Sequence, residues 1–191
     1  MQYSSAMRTI TVLLLFLLAR SSQAAPPLIT WATVSAATKQ CTPAREGWVN
    51  DTANVLSSTE RNELSEMLSA YHDETHHQLV ILTVPTLSGE TIETFSQRVF
   101  NCWGIGYKGV NNGILIVLAI NDRQGRIELG LGMSPYITDA TAWSVMNSLM
   151  TPEFKQRHYA LGLKRGLEKL MQEARHFVVQ PSDLPAAHGA P

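Results

Sequence analysis

The hydrophobic pattern changes period several times along this chain, and each change marks an element. From Ile114 to Ile120 every position is apolar, which a half-exposed strand would not be. The run predicts a central strand buried on both faces. Asn121 to Gly125 is polar and ends in glycine, the composition of a hairpin loop. Arg126 to Gly132 then alternates and predicts an edge strand. Ile127, Leu129 and Leu131 form its apolar face, and Arg126, Glu128, Gly130 and Gly132 the other, a candidate site lining.

Elsewhere the period is helical. Ser57 and Glu60 have the spacing of a capping box, and Leu64, Met67, Leu68 and Tyr71 recur on one stripe, predicting a helix to about Thr75. Gln78 to Val84 reads as a strand, stopped by Pro85 and Gly89. Ile92, Phe95 and Val99 place a helix over about Thr91 to Cys102. Strand, helix and strand from Gln78 to Ile120 predict a right-handed parallel crossover. Gly47-Trp48-Val49 is a short strand, and Asp51 after it suits a turn in which the carboxylate accepts backbone N–H groups. A helix is expected over about Thr138 to Met150. Thr151-Pro152 should open another, with Thr151 as cap and Leu163, Leu167 and Leu170 as buried stripe. Gly162 and Gly166, one turn apart, allow close helix packing. The sum is an α/β fold, a three-layer αβα sandwich around a mixed sheet.

The chain has 191 residues, 45% hydrophobic and 16% charged, with a formal net charge of −1. That is an ordinary globular composition, and no basic stripe points to nucleic acid. Arg8 precedes a short apolar run, Ile10 to Ala19, and Ser22-Gln23-Ala24 supplies small residues for cleavage. Residues 1–24 therefore read as a secretory signal peptide. No later run is long enough to span a bilayer as a helix, so the mature chain is expected in the periplasm or outside the cell, with no transmembrane segment. Residues 25–46, rich in Ala, Pro, Ser and Thr, read as a flexible leader, 47–174 as the domain and 175–191 as a disordered tail. Cys41 and Cys102 are the only cysteines and, in an oxidising compartment, should pair and staple the leader to the domain.

The stretch W-G-I-G-Y-K-G-V-N-N-G-I-L-I from Trp103, followed by R-I-E-L-G-L-G from Arg126, resembles the TPM domain. Further segments fit in order: G-W-V-N-D-T-A-N-V-L-S from Gly47, Q-L-V-I-L-T-V from Gln78, I-T-D-A from Ile137, P-E-F from Pro152 and H-Y-A-L-G from His158. The family includes thylakoid-lumen proteins linked to photosystem repair, a nematode receptor-associated protein and bacterial envelope proteins of the YgcG-like group. Asn111-Asn112 depart from it, since relatives often carry aspartate there.

Topology brings two loops to one end of the sheet. The strand from Gly113 and its antiparallel partner require that residues 108–113 and 133–139 meet there, carrying Asn111, Asn112, Tyr136, Thr138 and Asp139. The resemblance adds Asp51. A cleft with Asp51, Asn111, Asn112, Arg126, Glu128 and Asp139 follows as an expectation. Asp51, Asn111, Asn112 and Asp139 would be the ligands of a hard cation such as Ca²⁺. His72 and His76, one helical turn apart, could share a metal, but H-D-E-T-H departs from the zinc-protease motif at its second residue, and no third ligand follows. There is no G-x-S-x-G elbow and no C-x-x-C. The expected function is a non-enzymatic accessory that binds an envelope protein or supports assembly or maintenance of a membrane complex. The alternative implied by the resemblance is a metal-assisted acid phosphatase.

Overall fold

The computed structural model describes residues 41–184. The expected signal peptide, residues 25–40 of the leader and residues 185–191 lie outside the described residues. β1 (Val49–Asp51) is followed by α1 (Ser58–Thr75), β2 (Gln78–Val84), α2 (Ile92–Trp103), β3 (Gly113–Ala119) and β4 (Gln124–Leu129). Then come α3 (Asp139–Ser144), a π-helical turn (Val145–Met150), α4 (Thr151–Lys155) and α5 (Tyr159–Ala174). The sheet order is β1-β2-β3-β4, the first three strands parallel and β4 antiparallel to β3. The architecture is the expected αβα sandwich with β3 inside and β4 at an edge.

Alternation along the strands separates two cores. Leu79, Ile81, Ile114, Ile116, Leu118 and Ile127 face α1, α3, the π turn and α5. Val80, Leu82, Val84, Leu115, Val117 and Ala119 face α2, through Ile92, Phe95 and Val99. β3 therefore has no polar position because both its faces are covered. The layering has a topological consequence. β1, β2 and β3 are parallel neighbours added in one direction, yet α1 and α2 lie on opposite faces. The two crossovers have opposite hands, so only one of them has the usual right-handed connection.

Local signals set the element ends. Ser57 accepts from the Glu60 N–H at 3.2 Å while the Glu60 carboxylate accepts from the Ser57 N–H at 2.8 Å, a closed capping box. Thr91 and Thr138 cap α2 and α3 in the same sense.

Three expectations are corrected. The hairpin turn is tighter than 121–125: Gly125 lies within β4 opposite Leu118, where a side chain would press on Met146. β4 stops at Leu129. The chain then enters a 3₁₀ turn (Leu131–Met133), Leu131 is 82% exposed, and Met133 and Ile137 fill the core in its place. Thr151-Pro152 does open α4, with Pro152 in its first turn, but Thr151 is not its cap, because the chain is already helical at Met150, and α4 ends at Lys155, so Leu163, Leu167 and Leu170 lie on the separate α5. Pro152 has no N–H to give, and the wider π turn before it absorbs that loss, with Thr151 Oγ1 donating to the Met146 carbonyl at 2.8 Å. The expected disulfide is present, and segments on either side of residues 47–174 pack against the domain. Cys41 is bonded to Cys102, with Cα atoms 5.8 Å apart, the Trp103 indole donates to the Pro43 carbonyl at 2.9 Å, and Arg98 donates to the Thr42 carbonyl at 2.9 Å. At the other terminus Phe177 stacks on Tyr136 at 4.9 Å and Val179 is buried, so residues 175–179 pack against the domain.

Candidate functional site

Two ends of the sheet matter. At one, β2 begins at Gln78, β3 at Gly113, and β4 runs out at Leu129; at the other lie Asp51, Thr83, Leu118 and Gly125. The loops expected to converge at the Gly113 end do so. The Gly130 N–H donates to the Gly113 carbonyl at 2.8 Å and the Gly132 N–H to the Asn111 carbonyl at 3.1 Å. A Cβ on Gly130 or Gly132 would overlap the carbonyl oxygens of Asn111 or Val110. These glycines let backbone meet backbone; they do not line a site.

Asn112 is fully buried there and ties three segments. Its Oδ1 accepts from the Tyr107 N–H at 2.9 Å, its Nδ2 donates to the His76 carbonyl at 2.8 Å, and its own carbonyl accepts from the Gln78 N–H at 3.3 Å. Asn111 adopts φ 53°, a left-handed conformation that asparagine tolerates, with its N–H on the Tyr107 carbonyl at 2.8 Å. Asp139 is exposed in the first turn of α3, where a carboxylate suits the helix dipole.

Asp51 lies at the opposite end, paired in register with Thr83. It is buried, and both oxygens are in use. Oδ1 accepts from the Val55 N–H at 3.2 Å and from the Thr83 hydroxyl, and Oδ2 from the Leu56 N–H at 2.9 Å. The Thr83 hydroxyl in turn accepts from the Ala53 N–H at 3.2 Å. This is the N–H-accepting turn read from the sequence. Arg126 and Glu128 occupy a third place, the α2 face of β4, as a 2.8 Å ion pair whose carboxylate also accepts from the Ser96 hydroxyl at 3.0 Å. The six expected cleft residues thus fall into three groups. As placed, Asp51, Asn111, Asn112 and Asp139 do not make one ligand set for Ca²⁺. Register, which no pattern on a three-residue strand reveals, separates the first from the rest.

Two constellations escaped the sequence reading. His77 is fully buried, its Nδ1 is 3.0 Å from the Tyr71 hydroxyl, and Tyr71 donates onward to the Met171 carbonyl at 3.3 Å. One hydrogen bond joins the two side chains, and His77 Nε2 has no hydrogen-bonded partner within reach. Burial holds His77 below the ordinary histidine value and pushes Tyr71 up to about 12. The second is Glu153, buried between Arg165 and His158, whose Nδ1 is 3.3 Å away. A buried glutamate at the turn between two helices is signalled only by the P-E-F segment.

The family model for the TPM domain matches residues 49–173. The chain belongs to the TPM domain family. Its fold agrees with solved structures. The N-terminal domain of a P. gingivalis protein is similar at 28% identity, over 68% of this chain and 82% of that one, with a TM-score of 0.63. BA42 from the psychrophilic bacterium Bizionia argentinensis is similar at 21% identity, over 68% and 88%, with a TM-score of 0.58. The N-terminal domain of cg2496 from Corynebacterium glutamicum is similar at 17% identity, over 80% and 95%, with a TM-score of 0.56. The last two likenesses concern the fold alone. No curated protein matches the sequence.

This TPM domain also carries apolar surface. Trp143 on α3 is 69% exposed, and beside it a shallow groove of about 460 Å³ is lined by Ala140, Ser144, Val145, Ser148, Leu149 and Lys169. Among the described residues no helix is long and apolar enough to cross a membrane.

Proposed function

We propose that this TPM-domain protein works outside the cytoplasm as a non-enzymatic accessory that binds an envelope protein or a membrane complex. One observation carries the reading. Four of the six polar side chains expected to do chemistry are engaged in holding the fold: every Asp51 oxygen and both polar atoms of the Asn112 amide are hydrogen-bonded to protein, and Arg126 is paired with Glu128. The unspent surface is apolar, centred on Trp143 and the Leu149 groove. The Cys41–Cys102 bond agrees with an oxidising compartment, as does the apolar N-terminal run read as a signal peptide.

A photo-crosslinking residue in place of Trp143, with the protein expressed in its own cells, tests the reading. One discrete adduct is expected, lost when Leu149 is changed to serine while the melting temperature is unchanged. Adducts no different from those of a probe on the exposed face of α1 would count against it. Purified protein that hydrolyses a phosphomonoester, with activity abolished by Asp51→Ala, would overturn it in favour of a metal-assisted phosphatase. Calcium provides an independent check, because a ligand bound by the native state raises the melting temperature. No rise at millimolar Ca²⁺ is expected.

A further inference from the structure

The C-terminal end of α1 carries two imidazoles that the proposed function does not use. His72 and His76 are both half-buried, and their rings lie 6.2 Å apart, centre to centre, at 81°. Their backbones are pinned. The His76 N–H donates to the His72 carbonyl at 2.7 Å, and the His76 carbonyl accepts from the buried Asn112 amide at 2.8 Å. The His72 ring is held as well. Its Nδ1 lies 3.0 Å from the His77 carbonyl, which can only accept, so Nδ1 carries the proton and Nε2 presents its lone pair. Trp48 packs on one side of that ring at 4.9 Å, and the Tyr107 hydroxyl lies 3.4 Å from Nε2.

A histidine whose Nδ1–H is fixed on a backbone carbonyl is the arrangement that orients imidazole for a metal, and here Nε2 carries only the long Tyr107 contact, which an ion would displace. Two imidazole nitrogens about 2.0–2.1 Å from one tetrahedral ion put the ring centres about 5 Å apart. The observed 6.2 Å exceeds that by about 1 Å, a gap for the His76 side chain to close, since the His72 ring is held. We propose that His72 and His76 form a two-histidine site for a borderline divalent transition ion. Imidazole ligands and the general affinity order put Cu²⁺ first, ahead of Zn²⁺ and Ni²⁺. Among the described residues no third His, Cys, Asp or Glu is grouped with them, so water, with the Tyr107 hydroxyl in reach, completes the shell. The site is therefore open and exchangeable, unlike the closed four-ligand sites that hold zinc structurally. It shares no residue with the apolar groove assigned to the partner.

The test is calorimetric titration of the disulfide-bonded protein with CuCl₂ in a non-chelating buffer, with tryptophan fluorescence followed in parallel. One Cu²⁺ per chain is expected, with saturable quenching from Trp48 beside His72. His72→Gln and His76→Gln should each weaken binding more than about tenfold, since even partners that only orient a ligand are worth roughly 10–100-fold. His158→Gln, on α5's N-terminal side, should leave binding unchanged. His76→Gln keeps the test valid if loss of the packed His72 ring unfolds the protein. Absence of saturable binding, or one-to-one binding that survives the double variant, would overturn the assignment.

Discussion

The two ends of the sheet solve the same problem with different chemistry. At the β1 exit one carboxylate, Asp51, gathers two backbone N–H groups from the turn that immediately follows it and the hydroxyl of Thr83 on the neighbouring strand. At the Gly113 end a neutral amide, Asn112, joins segments that are far apart in sequence, donating to one and accepting from another. A carboxylate can only accept, so it suits a site where every neighbour donates. An amide suits a junction where one neighbour is a carbonyl. The second end is also held by a covalent bond, by glycine backbones in contact, and by the buried His77–Tyr71 pair. Its loops have little regular structure to hold them, so more separate devices are needed.

The largest expected effect comes from the covalent device. Cys41 and Cys102 close a loop of sequence separation 61, for which chain entropy predicts about 4 kcal/mol. Cys41→Ser with Cys102→Ser should lower the unfolding free energy in urea by that order. A loss under about 1 kcal/mol would mean that the Trp103 and Arg98 contacts hold residues 41–46 unaided.

Exchanging the two polar groups breaks the comparison directly. Asn112→Asp places a buried carboxylate against the His76 carbonyl and should cost roughly 3 kcal/mol or more. Asp51→Asn sets an amide N–H against a backbone N–H and should cost about 1–3 kcal/mol. Equal and small losses for both exchanges, measured by chemical denaturation, would show that charge does not distinguish the two ends.

The smallest effect sharpens the difference through pH. The folded value of His77 lies below its unfolded value of about 6.5, so on acidification the unfolded chain takes up the proton first. Stability contributed by the neutral imidazole is present above that pH and falls as pH drops through about 6.5 toward the folded value. The slope is at most about 1.4 kcal/mol per pH unit for this one group. His77 is further disfavoured from charging by His72 and His76 nearby. A melting-temperature profile between pH 8 and 5 should show the decline, and His77→Phe should flatten it. An unchanged slope in the variant would place the titrating group elsewhere.

Much of this was legible beforehand. The unbroken apolar run of β3, the Ser57–Glu60 box and the glycine pair of α5 each act within a few residues of where they are written. Such signals need only local geometry. The carboxylate role of Asp51 was legible for the same reason, because its backbone donors, Val55 and Leu56, follow directly. The cleft was not. Asp51, Glu128 and Asp139 look alike as acids on loops and an edge strand, and nothing local says which end or face of the sheet each will reach.

The sequence by itself determined the αβα class, the buried strand and its hairpin, the helix starts, and the family that the chain resembles. All of these follow from period, capping and local turn chemistry. Only the tertiary structure decided that α1 and α2 lie on opposite faces, that Asp51 stands at the far end from Asn112, that Leu131 is expelled while Met133 and Ile137 go in, and that Phe177 docks on Tyr136. Each of those depends on strand register, crossover side or the filling of a shared core. Those are contests between distant segments for the same space, and no window of neighbouring residues contains both contestants.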